Sequence, residues 1–103
     1  MQPELADVVT EIVKASLLSV HYARLKEAGK LHPAQTSLLK RNNCRIALEA
    51  ARRCRAVLGA NGVAGDFHIL RHAANLESTI TYEGTDQIHT LSIGRALTGS
   101  AAF

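Results

Sequence analysis

The 103-residue sequence has no tryptophan and few aromatic residues, at 4% of the chain. Sheets are enriched in aromatic and β-branched residues, whereas alanine and leucine, which are abundant here, favour helices. This composition predicts helix packing rather than a β-sandwich or barrel. Long apolar runs are missing too, because charged residues interrupt them, so neither a membrane span nor a signal peptide can be placed. We therefore expect a soluble, untargeted all-α chain without a membrane partner.

Apolar residues recur at three- and four-residue steps in four segments, as in amphipathic helices. The predicted helices run from Pro3 to about Gly29, from Pro33 to about Gly59, from Asp66 to about Glu77 and from Asp86 to about Leu97. Four helices with short links predict a four-helix up-down bundle. A chain of 103 residues buries one modest core, so we expect a single domain over residues 1–103.

The apolar stripe of the first predicted helix is wide, which indicates contact with more than one partner helix. Its members are Leu5, Val8, Val9, Ile12, Val13, Leu17, Val20 and Leu25.

Only two cysteines are present, and both fall on the second predicted helix. Cys44 and Cys54 are separated by about 15 Å along that helix, which is too far for a disulfide. Two unpaired thiols suggest a reducing compartment, either a bacterial cytoplasm or a mitochondrial matrix.

The net charge of +3 is concentrated on the second predicted helix, between Lys40 and Arg55. A nucleic-acid face would need stacking aromatics or a recognisable DNA-binding motif, and both are lacking. The pattern favours a solvated or inter-subunit helix face, so we expect no nucleic-acid partner.

Two histidines on the third predicted helix, His68 and His72, are four residues apart and would project from one face as a metal pair does. A third ligand at the usual spacing is lacking. We therefore predict no metal site.

Glu83 lies in the break between the third and fourth predicted helices, after an irregular connection at residues 79–83 and before Thr85, a good helix N-cap. A carboxylate on a rigid turn, followed by a glycine that lets another molecule approach the backbone, is a plausible general base. Position alone favours the alternative that Glu83 is a solvated loop acid.

The stretch Tyr82-Glu83-Gly84-Thr85, followed by Gln87-Ile88, closely resembles the C-terminal signature of the acyl-CoA dehydrogenase family. Other segments resemble its glutaryl-CoA dehydrogenase branch in order and spacing. They are residues 38–44, 58–62, 71–73, 75–77 and 94–99. The resemblance covers essentially the whole chain but only the C-terminal quarter of a family member, whose N-terminal helical and middle β domains have no counterpart here.

This resemblance implies that Glu83 abstracts the α-proton of an acyl-CoA thioester while the β-hydride passes to FAD. It places Tyr82 and Gly84 beside the substrate and Thr85 and Gln87 beside FAD. Phe103 matches a flavin-contacting aromatic of the glutaryl branch. A further segment matches the part that meets the adenosine of a neighbouring subunit's FAD, through its backbone because Ala56 replaces a common glutamine. Its residues are Ala56, Val57, Leu58, Gly59 and Ala60.

Glutaryl-CoA, oxidised and decarboxylated to crotonyl-CoA, is the first substrate that the resemblance suggests. Short or branched acyl-CoA substrates stay open, because the family recognises the distal carboxylate with residues that this chain does not include. An electron-transfer flavoprotein is the implied electron acceptor, and a homotetramer is the implied assembly. We expect the chain alone to be inactive and to retain no FAD. The alternative is a free-standing, non-catalytic helical oligomerisation module.

Overall fold

The computed structural model describes residues 1–101, which form four α-helices and contain no strand. The helices are α1 (Gln2–Glu27), α2 (Pro33–Val57), α3 (Ile69–Thr79) and α4 (Asp86–Thr98). Two short 3₁₀ helices, Gly59–Val63 and Gly65–Phe67, connect α2 to α3. The all-α, four-helix prediction is confirmed. Phe103, predicted to contact flavin, lies outside the described residues.

Helix α2 begins with a reciprocal cap. The Nδ1 atom of His32 accepts a hydrogen bond from the Ala34 amide at 3.0 Å, and the Gln35 side chain accepts one from the His32 amide at 2.8 Å. Pro33 occupies the first helical position, where its missing N–H costs nothing. Local chemistry of this kind explains why the predicted start of α2 agrees with the structure.

The predicted start of α3 at Asp66 is wrong. Asp66 lies within the second 3₁₀ helix, His68 adopts the left-handed conformation with φ of 61°, and α3 begins only at Ile69. The connection is tight because buried Gly62 packs on the end of α2, where a Cβ atom would lie 2.1 Å from the Arg55 carbonyl oxygen. This close approach folds the chain into 3₁₀ turns and delays the helix.

Helix α2 lies at the centre of the fold. Helices α1, α3 and α4 each pack against α2, and within residues 1–101 no two of these three pack against each other. Arg53 near the end of α2 pairs with Asp7 near the start of α1, so these helices are antiparallel. Arg52 pairs with Glu77 of α3, and Arg45 pairs with Asp86 of α4. Helices α3 and α4 therefore follow one another along α2, and the break between them faces its middle.

The core of the described residues is thin. Its buried hydrophobic members are Val8, Tyr22, Leu48, Ala51 and Ala73. A polar contact supports it, because the Asn43 side chain donates to Ser19 Oγ at 2.7 Å and to the Ala15 carbonyl at 3.3 Å. Cys44 and Cys54 are both on α2 and both are free thiols. None of the helices in residues 1–101 has the length and apolar character needed to span a bilayer.

A second apolar face of α1 is exposed. Within the described residues α1 packs on α2 alone, so the wide stripe predicted to meet more than one helix is covered on one side only. Leu17 is 65% exposed and Val9 is 58% exposed. We call this face the α1 stripe. Its residues are Leu5, Val9, Ile12, Val13, Leu17 and Val20.

The chain in isolation should associate with itself or bind a hydrophobic dye, because contiguous apolar patches favour association. Leu17→Glu should shift sedimentation toward the monomer and lower dye binding, since it places a charge on the α1 stripe. Asn75→Glu is the matched control, because it adds the same charge at an exposed position of α3. A strict monomer without bound dye at high micromolar concentration would contradict this prediction.

Candidate functional site

Residues 80–85, which we call the Glu83 turn, join α3 to α4. The Asp86 amide closes the turn by donating to the Ile80 carbonyl at 3.0 Å. The Thr85 hydroxyl accepts a hydrogen bond from the Ile88 amide at 3.1 Å, so Thr85 is the N-cap of α4, as predicted. Both ends of the turn are therefore fixed by hydrogen bonds.

Glu83 has a φ of 53°, in the left-handed region that a residue with a Cβ atom rarely adopts, and Gly84 follows with a φ of 93°. The left-handed conformation of an L-residue costs about 1–2 kcal/mol. Such a conformation persists only where the surrounding structure holds it, and it is often found at functional sites. The Glu83 turn is therefore a strained segment whose supports must be identified.

Three consecutive carbonyl groups of the turn are held by two side chains. Lys40 Nζ, from α2, donates to the carbonyl oxygens of Tyr82 and Gly84, both at 2.7 Å. His89 Nε2, from α4, lies 3.2 Å from the Glu83 carbonyl oxygen. A carbonyl only accepts, so Nε2 carries the hydrogen in this contact. The Lys40 ammonium also lies 5.6 Å from the centre of the Tyr82 ring.

The same arrangement leaves the amides of the turn available. Its backbone hydrogen bonds use the amides of Thr81, Tyr82 and Asp86, whereas those of residues 83–85 have no backbone acceptor within residues 1–101. The Glu83 side chain is exposed. An exposed carboxylate and an adjoining free N–H are thus presented together on a restrained backbone.

Gly84 is required by the chain itself. A Cβ atom at this position would lie 2.7 Å from His89 Nε2, and its φ disfavours residues with side chains. The sequence interpretation gave Gly84 the role of leaving room for another molecule. The positive φ of Gly84, with the His89 ring beside it, gives a structural reason for this glycine that involves no ligand.

Arg45 and Asp86 anchor the first turn of α4 to α2. Arg45 donates through Nε and Nη2 to the two carboxylate oxygens of Asp86. These hydrogen bonds hold the pKa of Asp86 below its ordinary value. The positive charges of Arg45, Arg41 and His89 lower it further, by a smaller amount. Arg41 adds a bond from its Nε to the Thr90 hydroxyl at 2.8 Å.

The other residues assigned by resemblance fall into two groups. Tyr82, Thr85 and Gln87 lie in or next to the Glu83 turn, and Tyr82 and Gln87 are exposed. Residues 56–60 lie where α2 ends and the first 3₁₀ helix begins. Ala56 is 16 residues after Lys40, which supports the turn, so this segment is about 24 Å farther along the helix. One copy of the described chain does not bring the two groups together.

The histidine pair differs from the sequence interpretation, because His68 precedes α3 and only His72 lies on it. Among residues 1–101, no cluster of three or more His, Cys, Asp or Glu residues could hold a metal ion. Three basic residues of α2 make ion pairs inside the chain: Arg45 with Asp86, Arg52 with Glu77, and Arg53 with Glu49 at 3.3 Å and with Asp7 at 3.6 Å.

Sequence reasoning did not assign Lys40 or His89 to the site. The sequence placed Lys40 only on a basic helix face and in segment 38–44, which resembles the glutaryl-CoA dehydrogenase branch. In the structure it contacts the Tyr82 carbonyl, 42 residues later. His89 was given no role. No local spacing reveals the Lys40 contact, whereas the position of His89 at the end of the first turn of α4, six residues after Glu83, was a usable signal.

The Arg45–Asp86 pair should make stability depend on pH. Because the folded-state pKa of Asp86 is lowered, its contribution is present above the unfolded value and is lost as pH falls through the folded value. Arg45→Met should lower the free energy of unfolding at pH 7 by about 0.5–1 kcal/mol, since Arg45 is half exposed. The difference between variant and parent should shrink below about pH 4. Urea unfolding at pH 7 and pH 3 measures both effects.

Arg24→Met is the control, because Arg24 makes no ion pair in the part of α1 that the structure describes. It should leave the pH dependence of unfolding unchanged. An Arg45→Met chain whose deficit is as large at pH 3 as at pH 7 would contradict this explanation.

The comparisons with known proteins agree with this fold. The family model "Acyl-CoA dehydrogenase, C-terminal domain" matches residues 1–98. The chain is 55% identical to a glutaryl-CoA dehydrogenase from Mycobacterium smegmatis, with a TM-score of 0.96. The match covers 99% of this chain and 26% of that dehydrogenase. A Mycobacterium smegmatis glutaryl-CoA dehydrogenase in complex with FADH2 is 51% identical with a TM-score of 0.95, at the same coverage.

In less similar proteins, too, the match covers nearly all of this chain and about a quarter of the other protein. The structure of the electron transferring flavoprotein of Acidaminococcus fermentans is 30% identical with a TM-score of 0.90, and the match covers 96% of this chain and 26% of that one. A probable short/branched chain specific acyl-CoA dehydrogenase from Dictyostelium discoideum is 32% identical, covering 94% of this chain and 24% of that protein. The chain thus spans about a quarter of the length of these proteins. It belongs to the acyl-CoA dehydrogenase family and matches that family's C-terminal domain.

Proposed function

We propose that this chain is the domain that carries the catalytic base of an FAD-dependent acyl-CoA dehydrogenase. The observation that carries the proposal is the Glu83 turn, in which an exposed carboxylate sits on a left-handed backbone held by Lys40 and His89. A solvated loop acid needs no such support. Left-handed backbone in a non-glycine residue is strain of the kind that persists at functional sites.

Glu83 would take the α-proton of the acyl-CoA thioester. An α-C–H group is a very weak acid, so the charge that develops on the thioester oxygen must be stabilised by hydrogen-bond donors. The Glu83 amide, which has no backbone acceptor in residues 1–101, can supply one of them. The base must also be desolvated to raise its proton affinity. Because Glu83 is exposed here, that desolvation has to come from bound substrate and from protein beyond this quarter of the enzyme.

Two residues that would hold FAD, Thr85 and Gln87, present polar groups that are free to bind it. FAD, when bound, accepts the β-hydride at its flavin ring. Thr85 uses its hydroxyl oxygen as an acceptor for the cap of α4, so its O–H remains free to donate. Gln87 is exposed beside it. Residues 56–60, about 24 Å farther along α2, would meet the FAD of a neighbouring subunit, which fits their separation from Glu83.

Glutaryl-CoA is the substrate that we propose first, with oxidation and decarboxylation to crotonyl-CoA. Its support is the 55% identity to a glutaryl-CoA dehydrogenase, which exceeds the 32% identity to a short/branched chain enzyme. Tyr82 and Gly84 would border the acyl chain. We further propose an electron-transfer flavoprotein as electron acceptor, a homotetramer in which the α1 stripe is covered, and a location in a bacterial cytoplasm or a mitochondrial matrix.

The chain alone should neither retain FAD nor oxidise acyl-CoA, because it spans only a quarter of its relatives and Glu83 lacks a water-excluding enclosure. Purification in the presence of FAD, followed by absorbance spectroscopy and an acyl-CoA-dependent dye-reduction assay, checks both expectations. A yellow protein with stoichiometric flavin, or measurable dye reduction, would refute them.

The role of Glu83 can be tested by joining residues 1–103 to the Mycobacterium smegmatis glutaryl-CoA dehydrogenase in place of its matching quarter. Glu83→Gln should lower the rate of flavin reduction by glutaryl-CoA by about 10²- to 10⁴-fold or more, because the amide cannot accept the α-proton. FAD content and folding should be nearly unchanged, since glutamine is close to isosteric with glutamate.

Thr85→Ala provides the contrast. It should weaken flavin retention and destabilise the cap of α4 by roughly 1 kcal/mol, while molecules that keep FAD still abstract the proton. Stopped-flow measurement of flavin bleaching decides between the two residues. Bleaching of the Glu83→Gln protein at the parental rate would exclude Glu83 as the base.

A second candidate function is that of a non-catalytic helical oligomerisation module. The observation that favours it is the exposed α1 stripe. Such a module needs self-association but no carboxylate at position 83. The joined protein separates the two functions. If the chain carries the catalytic base, Glu83→Gln abolishes activity and leaves association unchanged. If the chain is only an oligomerisation module, the joined protein associates but is inactive even with Glu83 present.

A further inference from the structure

Lys40 is the one residue of α2 that reaches the Glu83 turn with two hydrogen bonds. Its ammonium group donates to the carbonyls on both sides of Glu83, those of Tyr82 and Gly84. We propose that Lys40 is a positioning residue, which holds Glu83 in the left-handed conformation and thereby orients the carboxylate. This proposal deepens the proposed function and rests on it for its catalytic consequence.

The geometry explains why two bonds from one group fix the residue between them. The carbonyl oxygens of Tyr82 and Gly84 both lie 2.7 Å from Lys40 Nζ, so the peptide group before Glu83 and the one after Gly84 are directed to one point. His89 holds the Glu83 carbonyl from α4. With the peptide planes on either side restrained, φ and ψ of Glu83 have little freedom. Bonds from an ammonium group are stronger than those between neutral groups.

The location of Lys40 makes this restraint stiff. Lys40 is on α2, the helix against which α1, α3 and α4 all pack. Neighbouring residues of α2 hold the start of α4 instead, Arg41 through Thr90 and Arg45 through Asp86. Removing Lys40 should therefore release the turn while α4 stays docked. Arg24→Met is the matched control, because it removes an equal charge from α1, where Arg24 makes no ion pair within the described residues and does not contact the turn.

The first test uses the 103-residue chain and NMR. In Lys40→Met, the coupling between the amide and α protons of Glu83 should change as the φ of 53° is lost, and hydrogen exchange of the Asp86 amide should accelerate. In Arg24→Met both should stay as in the parent. An unchanged Glu83 coupling in a folded Lys40→Met chain would overturn the proposal, independently of any enzymatic role.

The second test uses the joined flavoenzyme. Lys40→Met should reduce the rate of flavin reduction by about 10- to 100-fold with little change in substrate Kd, because a small misplacement of the base weakens catalysis more than binding. Lys40→Arg should restore part of the rate, since it returns a cationic donor. Arg24→Met should keep the parental rate.

The outcomes separate the two ideas. An unaltered joined protein that fails to reduce flavin contradicts the proposed function, and the NMR result alone then decides whether Lys40 holds the turn. If the unaltered protein is active and Glu83→Gln is inactive, but Lys40→Met keeps the parental rate, then the positioning role is wrong and the proposed function stands.

Discussion

The fold depends on the packing of three helices against α2. Because α1, α3 and α4 contact α2 and not one another within the described residues, the position of each is set by its contacts with this one helix. The contacts follow the length of α2: Lys40, Arg41 and Arg45 hold the Glu83 turn and α4, Arg52 holds α3, and Arg53 holds α1. Long basic side chains thus secure a domain whose buried core is thin.

This arrangement has a consequence for chemistry. Helices α3 and α4 lie in succession along α2, so the irregular backbone between them faces a continuous helix, from which Lys40 donates two hydrogen bonds to it. The left-handed conformation of Glu83 is unfavourable by itself, and the hydrogen bonds from Lys40 and His89 offset that cost. They occupy the carbonyls of the turn and leave the amides of residues 83–85 without backbone acceptors. The same restraint that holds the carboxylate therefore also supplies free donors beside it.

Much of the fold could be predicted from the sequence, because its determinants are local. The helical periodicity, Pro33 at the start of α2 and Thr85 as the cap of α4 depend on neighbours a few residues away, and the structure confirms them. The start of α3 could not be predicted, because the contact of Gly62 with Arg55 makes the chain form 3₁₀ turns where Asp66 was expected to cap a helix. The packing of this glycine against the end of α2 prevailed there over the capping preference of Asp66.

The site was predictable in part. The position of Glu83 in a helix break and its resemblance to a family signature identified it as the residue to consider. Its support was not predictable, because Lys40 acts across 42 residues of sequence and Arg45 across 41. The separation on one chain of the two groups assigned to FAD was predictable, because the resemblance assigned residues 56–60 to the FAD of a neighbouring subunit.

The proposed proton abstraction by Glu83 can be measured apart from electron transfer. The joined enzyme can be reduced beforehand, so that its flavin accepts no hydride, and mixed with glutaryl-CoA in heavy water. We expect the α-protons to exchange with solvent deuterium, and we expect Glu83→Gln to abolish this exchange while binding persists. Exchange at the parental rate in the Glu83→Gln enzyme would contradict it.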